Sequence, residues 1–416
     1  MQQPSVRVYV ALCGISAFLN ATMFTQLTLF YVTRAGMTPL QLVLVGTFLE
    51  ITAFAFQVPT GLFADVFGRR LSVVIGTLVS GAAFVFIGLA PGFGTIAAGL
   101  CVWAVGATFV SGAREAWIVD EVGQDGVAAV FLRATRARQA AGLAGAVASA
   151  ALARLTLAAP IVIGGALTVA LGLWLVRRMP ETGFRPGPVA GRPAFGDVLA
   201  ALRAGANAVR RRPTLRWFLV AGIAYGVYGE SFSRLGEAHF VLHVGFASIG
   251  FLRPSDWFAV IAGGAQVLGF LAAWAASRRP GWRPAPLLAA LTAAQMVSVI
   301  GFGLAPSFGI ALGAYWAAGV CGTVAGPVLN AWVSAHIPSG VRATVMSMLE
   351  QADALGQLGG GPPMGALATA RGTAAAMVVT GWTLLPALVF YCRSATSRAG
   401  RPAPPGEGAA SSTRNL

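Results

Sequence analysis

The chain is dominated by apolar runs of about twenty residues, the length an α-helix needs to cross a hydrocarbon core of roughly 30 Å. Read between breaks marked by Arg, Pro and Gly, the runs place spans at 8–32, 40–60, 71–90, 95–117, 137–157 and 161–178. A second set follows at 215–236, 255–276, 285–305, 309–332, 343–368 and 373–392. A surface built from such runs cannot face water. Charged residues make up only 10% of the chain and mean hydropathy is +0.73, whereas a soluble domain is about 25% charged. The spacing therefore predicts an all-α integral membrane protein of twelve transmembrane helices in the lipid bilayer. The first run is too long for the apolar core of a signal peptide and reads as an uncleaved span. Two spans are weak by hydropathy: the fifth is rich in Ala and Gly, and the eleventh carries Glu350, Asp353, Pro362 and Pro363.

The net charge of +15 is carried entirely by Arg, with no Lys in the chain. Those arginines occupy alternate connections and make no continuous basic face, which excludes nucleic acid as a partner. Arg69, Arg70, Arg133, Arg136, Arg138, Arg177, Arg178, Arg278, Arg279, Arg283 and Arg342 fall on the side of the two termini; Arg34, Arg154, Arg253 and Arg371 fall opposite. The positive-inside rule then puts both termini in the cytoplasm. The Arg-only basic set and the abundance of Ala and Gly suggest a GC-rich bacterial genome, so the expected location is the bacterial cytoplasmic membrane. Cys13, Cys101, Cys321 and Cys392 lie in or beside apolar runs without short spacing, and His239, His243 and His336 do not complete a ligand set with them. No metal and no cofactor is expected.

The spans divide into two equal blocks, 1–180 and 215–393, joined by the longest internal connection, 181–214. Equal blocks of six spans suggest a duplicated transporter of two pseudo-symmetric bundles. Within the connection, Phe195 to Val209 is expected to form an amphipathic helix on the membrane surface. The tail, 394–416, is rich in Pro, Gly, Ser and Ala and is expected to be disordered.

Between spans 2 and 3 stands Gly61-Leu62-Phe63-Ala64-Asp65-Val66-Phe67-Gly68-Arg69-Arg70. Gly61 and Gly68 allow two helices to close around a very short turn. Asp65, at the membrane edge, can dock on the positive N-terminal end of a neighbouring helix, and span 11 begins on the same side. Arg69 and Arg70 can reach Asp120 and Glu121 at the end of span 4. This loop resembles the G-x-x-x-D-x-x-G-R-R signature of the major facilitator superfamily. Gln57-Val58-Pro59-Thr60, Ser111-Gly112-Ala113-Arg114-Glu115-Ala116-Trp117 and Arg342-Ala343-Thr344 resemble its drug-exporter branch, closest to the tetracycline and macrolide type. The resemblance implies the major facilitator fold, and a latch of Gly61, Asp65, Gly68, Arg69, Arg70, Asp120 and Glu121 that holds the halves together on the cytoplasmic side. Two departures stand out. Val102 occupies the place, four residues before Gly106, where many proton-coupled exporters carry Arg. The G-P-x-x-G motif of span 5 is missing from 140–153, and a similar string, Gly361-Pro362-Pro363-Met364-Gly365, stands in span 11.

An ionised side chain at a helix centre costs roughly 2.5–3.5 kcal/mol, so each needs a partner, water or a proton. Glu50 falls mid-membrane in span 2, with no basic residue near it in sequence. Glu350 and Asp353 share one face of span 11, where two carboxylates can share a proton. These three are the candidates for proton coupling. Glu230 and Arg234 stand four apart in span 7, as an ion pair or as substrate contacts. With Glu50, they join Asn20, Phe24 and Gln26 of span 1 as candidate substrate-binding residues; Thr22, Thr25 and Thr28 add polarity there. Arg114 and Glu115 can snorkel to the interface. Glu237 and Asp256 read as solvated at the outer boundary. The stretch 356–365 offers either a close-packing glycine face or a hinge at Gly361, Pro362, Pro363 and Gly365; adjacent prolines favour bending.

The expected function is secondary-active export of small amphipathic, drug-like molecules by proton antiport and alternating access, in a monomer. A metabolite permease of the same fold is the alternative, and a lipid-modifying membrane enzyme a more distant one. The latter lacks a nucleophile–base pair or metal spacing. No filter motif indicates a channel, and no phosphate-binding G-x-x-x-x-G-K-[ST] loop indicates an ATP-driven pump.

Overall fold

The computed structural model describes residues 3–184, 209–210, 213–278, 281–337 and 342–396. Among them all the regular secondary structure is helical. The surface helix expected within 195–209 and the tail beyond Thr396 lie outside these residues, apart from Val209, which is helical.

The first block comprises α1 (Pro4–Phe24), α2 (Leu27–Thr33), α3 (Pro39–Phe67), α4 (Arg69–Leu89), α5 (Phe93–Val110), α6 (Ala113–Val122), α7 (Gln124–Ala153) and α8 (Ala159–Arg178). The second comprises α9 (Pro213–His239), which ends in a π-turn over Phe240–Val244, α10 (Pro254–Ser277), α11 (Pro284–Gly303), α12 (Phe308–His336), α13 (Arg342–Trp382) and α14 (Leu385–Thr396). Local chemistry sets several starts. Pro at the first turn opens α1, α3, α10 and α11, where a missing N–H costs nothing. Thr38 caps α3 in a capping box: its hydroxyl accepts the Gln41 N–H at 3.3 Å, while Gln41 Oε1 accepts the Thr38 N–H at 2.9 Å. Gly68, at φ 115°, turns α3 into α4 with a single residue.

Nine helical stretches among the described residues are long and apolar enough to cross a membrane. The last of these covers 52 residues, about 78 Å of helix and far more than one crossing needs. It is broken at Gly372, whose φ of 86° and ψ of 158° end one crossing and start another. The helices α7 and α9 are long but carry too much polarity to qualify by hydropathy. Adding these two and the split gives an arrangement consistent with twelve crossings. The sequence spans fall on these helices with one large shift: the fifth, expected from 137, begins at Gln124, so Arg133, Arg136 and Arg138 are helical.

The packing repeats between the blocks. In the first, α1 packs on α7, α4 on α5 and α8, and α3 on α5; in the second, the counterparts six spans later pair the same way, α9 on α13, α11 on α12 and α14, and α10 on α12. Across the blocks, α3 meets α13 and α7 meets α10, again a symmetric pair of contacts. The cores are apolar and aromatic, with Phe84, Trp117, Phe240, Phe302 and Tyr391 fully buried. Exposed apolar side chains such as Phe54, Leu89, Val147 and Phe251 mark surfaces that water would not tolerate and a bilayer would.

Candidate functional site

The blocks are tied together at the end of the bundle away from the termini. Arg154, just past α7, makes a two-pronged ion pair with Asp256 at the start of α10: Nη2 to Oδ2 at 3.0 Å and Nε to Oδ1 at 3.3 Å. The Arg253 N–H also donates to Asp256, at 2.9 Å. Gln26 donates to the Ser255 carbonyl at 2.9 Å, and the Leu40 N–H to the Thr369 hydroxyl at 3.0 Å. Asp256 is therefore no solvated boundary residue. It is buried, and it is the centre of the clasp.

Just inside this clasp lies a cavity of about 210 Å3 between the blocks, lined by Phe24, Thr28, Tyr31, Arg234 and Glu237 among others. The Thr28 hydroxyl donates to Glu237 Oε2 at 2.6 Å, joining the first span to the seventh. Glu237 thus faces the interior, and the sequence reading of a solvated carboxylate is corrected. Boundary position alone misled there; the signal available was Thr28 on the polar stripe of the first span. The Tyr31 hydroxyl is buried without a hydrogen-bond partner at the same place.

Toward the midplane, Arg234 Nε pairs with Glu230 Oε1 at 3.1 Å along one face of α9, with the Glu230 side chain 5% exposed. Gly46 of α3 lies directly against this pair; a Cβ there would collide with Glu230 and Arg234. One turn further along α3, Glu50 is half-buried and within electrostatic reach of Glu230, Arg234 and Asp353. Asp353 accepts from Gln357 Nε2 at 2.6 Å. Together with Glu350, Asn330 and Tyr225 it lines a cavity of about 320 Å3 inside the second block. No ion pair to Glu50, Glu350 or Asp353 forms among the described side chains. A third cavity, of about 380 Å3, sits inside the first block and includes Asn20, Trp103, Arg114 and Glu115.

The sequence candidates are therefore distributed rather than gathered. Phe24 packs on Phe84 and Trp103, with ring centroids 5.1 and 5.3 Å away. Gln26 is spent on the clasp, Asn20 opens into the first-block cavity, and Glu230 with Arg234 forms the ion pair. Glu50 stands half-buried on α3, one turn past Gly46.

At the other end, Asp65 pairs with Arg69 in its own block, Oδ1 to Nη1 at 2.7 Å. Arg69 also reaches Asp120 at 3.2 Å. Arg70 turns elsewhere: its guanidinium donates to the Val176 carbonyl, and its N–H donates to Glu181 Oε1 at 2.8 Å. Glu121 accepts from the Thr182 and Gly183 N–H groups. The residue missed by sequence reasoning is Glu181, whose carboxylate lies against Gly68 where a Cβ would crowd it. α13 remains helical through Gly361, Pro362, Pro363 and Gly365. Gly361 and Gly365 approach Val43 of α3 closely.

Among the described residues no cluster of three or more His, Cys, Asp or Glu side chains is arranged to hold a metal. His239 is engaged in the second-block core, with Nδ1 2.8 Å from the Thr373 hydroxyl and Nε2 3.3 Å from the Phe302 carbonyl.

Residues 10–360 match the family model described as Major Facilitator Superfamily. The uncharacterized MFS-type transporter YxaM of Bacillus subtilis (strain 168) is 22% identical over 377 residues, 89% of this chain and 91% of that protein. Among solved structures, a mutant form of the nucleoside transporter NupG superposes with a TM-score of 0.78 at 12% identity, covering 94% of this chain and 99% of the other. A bacterial homologue of the human lysosomal transporter Spinster, inward-facing and occupied, superposes with a TM-score of 0.70 at 17% identity, covering 97% and 100%. At these identities the superpositions establish the fold.

Proposed function

The chain belongs to the major facilitator superfamily, a family of membrane transporters and not of enzymes, and on that premise we propose that it exports small amphipathic compounds by alternating access coupled to proton antiport. The single observation that carries the reading is the cavity onto which Glu350 and Asp353 both open, neither of them in an ion pair with a described side chain. Carboxylates inside a membrane domain invite a proton or a cationic group, and Glu50 lies within electrostatic reach of Asp353. With both termini in the cytoplasm, the Arg154–Asp256 clasp closes the outer face, so substrate loads from the inside. The two blocks, 1–180 and 215–393, rock about the central carboxylates, with 181–214 as the linker and 394–416 as a tail. On closure at the cytoplasmic side, Asp65 leaves Arg69 for the N-terminal end of α13, and Gly361 to Gly365 take up the bend. A monomer contains every part this cycle uses.

The test is expression in an exporter-deficient bacterial host, with susceptibility to tetracycline, a macrolide and a cationic dye measured with and without an uncoupler. Resistance that collapses with the uncoupler, and with Asp353→Asn, is the expected outcome. Unchanged susceptibility to every compound transfers the assignment to a metabolite permease.

A further inference from the structure

The first-block cavity differs from the one in the second block in its chemistry. It lies between α1, α4, the α5–α6 segment and α8, all in one block. The side chains of Ser16, Asn20, Ser80 and Ser111 and the Trp103 indole N–H open onto it and make no hydrogen bond among the described residues. Thr77 and Thr168 are different, since their hydroxyls are committed to the Val73 and Gly164 carbonyls, at 2.7 and 2.8 Å. Asn20 and Ser111 are exposed and Ser16, Ser80 and Trp103 half-buried, so these donors and acceptors are open to water or to a ligand that can pair with them. Among the described residues, the only charges lining the cavity are Arg114 and Glu115, and they neutralise one another through two bonds to Glu115 Oε1, at 2.6 and 3.0 Å. Leu12, Ala107 and Val110 supply apolar wall, and at about 380 Å3 the volume falls in the range of small-molecule pockets.

We propose that this cavity is a binding subsite for an uncharged, hydroxyl-bearing ring moiety of the transported compound. Its wall has no net charge, so an ion entering it would lose hydration without gaining a counter-charge. An uncharged ring with several hydroxyls loses less and can pair with the free serines, Asn20 and the Trp103 N–H, while its ring lies against the indole and the apolar wall. This rests on the chain being a transporter but not on the direction of transport. The cationic attraction assigned above belongs to the separate Glu350–Asp353 cavity.

Binding to the full chain in lipid nanodiscs tests the subsite without any transport step. Uridine and salicin serve as uncharged hydroxylated ring compounds, benzoate as an anion and benzylammonium as a cation, with dissociation constants from calorimetry. Uridine or salicin should bind, and Ala107→Leu, which fills the cavity without removing a polar group, should weaken that binding at least about tenfold. Trp103→Phe keeps the ring beside Phe24 and Phe84 but removes the N–H, and should weaken binding by about threefold to tenfold, the loss expected for one hydrogen bond. A normal thermal midpoint for each variant shows that it is folded; should Ala107→Leu fail to fold, Ser80→Ala replaces it with the same expectation as Trp103→Phe. Binding of the ions alone, binding of none of the four, or uncharged binding indifferent to these substitutions overturns the proposal. Loss of drug resistance in cells leaves this result untouched, so export and subsite fail separately.

Discussion

At the scale of single residues, the loop around Asp65 separates structural from functional demand. The Asp65 side chain is 54% exposed and its partner here is Arg69, one turn along, so the pair is a surface ion pair worth about 0–1 kcal/mol. Asp65→Asn should therefore leave the melting midpoint and the membrane abundance of the protein unchanged, while export falls to background if Asp65 is needed on α13 in the opposite state. Abundance by immunoblot and drug accumulation in cells measure the two arms; full export by the variant ends the latch reading. The same scale shows where one-dimensional reading stopped. The Arg69–Asp120 and Glu230–Arg234 pairs could be anticipated, because one joins the ends of adjacent elements and the other follows helical spacing. Thr28–Glu237 and Arg154–Asp256 bridge 209 and 102 positions, and nothing local to either partner names the other. A carboxylate near a span end looks solvated until the fold brings a neighbour over it.

Among elements, the closest seam joins α9 and α13, and glycines make it. A Cβ on Gly226 would run into the Asp353 carbonyl, and one on Gly356 into the Ile223 carbonyl, backbone atoms that cannot swing aside. Small residues at such a crossing let helices approach where lipid offers no hydrophobic drive to associate. Gly229, on the same helix as Gly226, has no heavy atom within 4 Å of the position its Cβ would occupy. The same substitution should then have opposite signs at the two sites. Gly226→Ala should destabilise the protein by about 1–3 kcal/mol through overpacking. Gly229→Ala should be neutral or stabilising by up to about 1 kcal/mol, since it removes only backbone freedom. Thermal unfolding of purified protein decides it, and equal midpoints for the two variants would refute the seam. The spans themselves were legible because burial in lipid demands a continuous apolar run. The break between the last two was legible as well: the sequence spans end at 368 and resume at 373, and the chain turns at Gly372, which supplies a φ that other residues resist.

For the whole molecule, the question is what holds one face shut. The clasp joins the blocks through Arg154 and Asp256, the Gln26–Ser255 bond and the Leu40–Thr369 bond, all at one end. A contact present in only one of two states biases the equilibrium by its full differential energy. The Asp256 side chain is 10% exposed and its Arg154 partner 47%, so the pair is half in solvent and its strength is reduced accordingly. A bias of roughly tenfold in population, about 1.4 kcal/mol, is the expected scale. Asp256→Asn should shift the protein toward the state open at this face. Spin labels at Leu155 and Phe251, exposed positions beside the clasp on opposite blocks, would report the shift as a longer component in their distance distribution. Arg154→Asp combined with Asp256→Arg should restore the short component, because the reversed pair can reform across the same gap even though the Arg253 N–H no longer finds an acceptor. An unchanged distribution in Asp256→Asn would mean that the α3–α13 packing near Val43, Gly361 and Gly365 closes this face without help from charge. The clasp would then be a consequence of closure and not its cause.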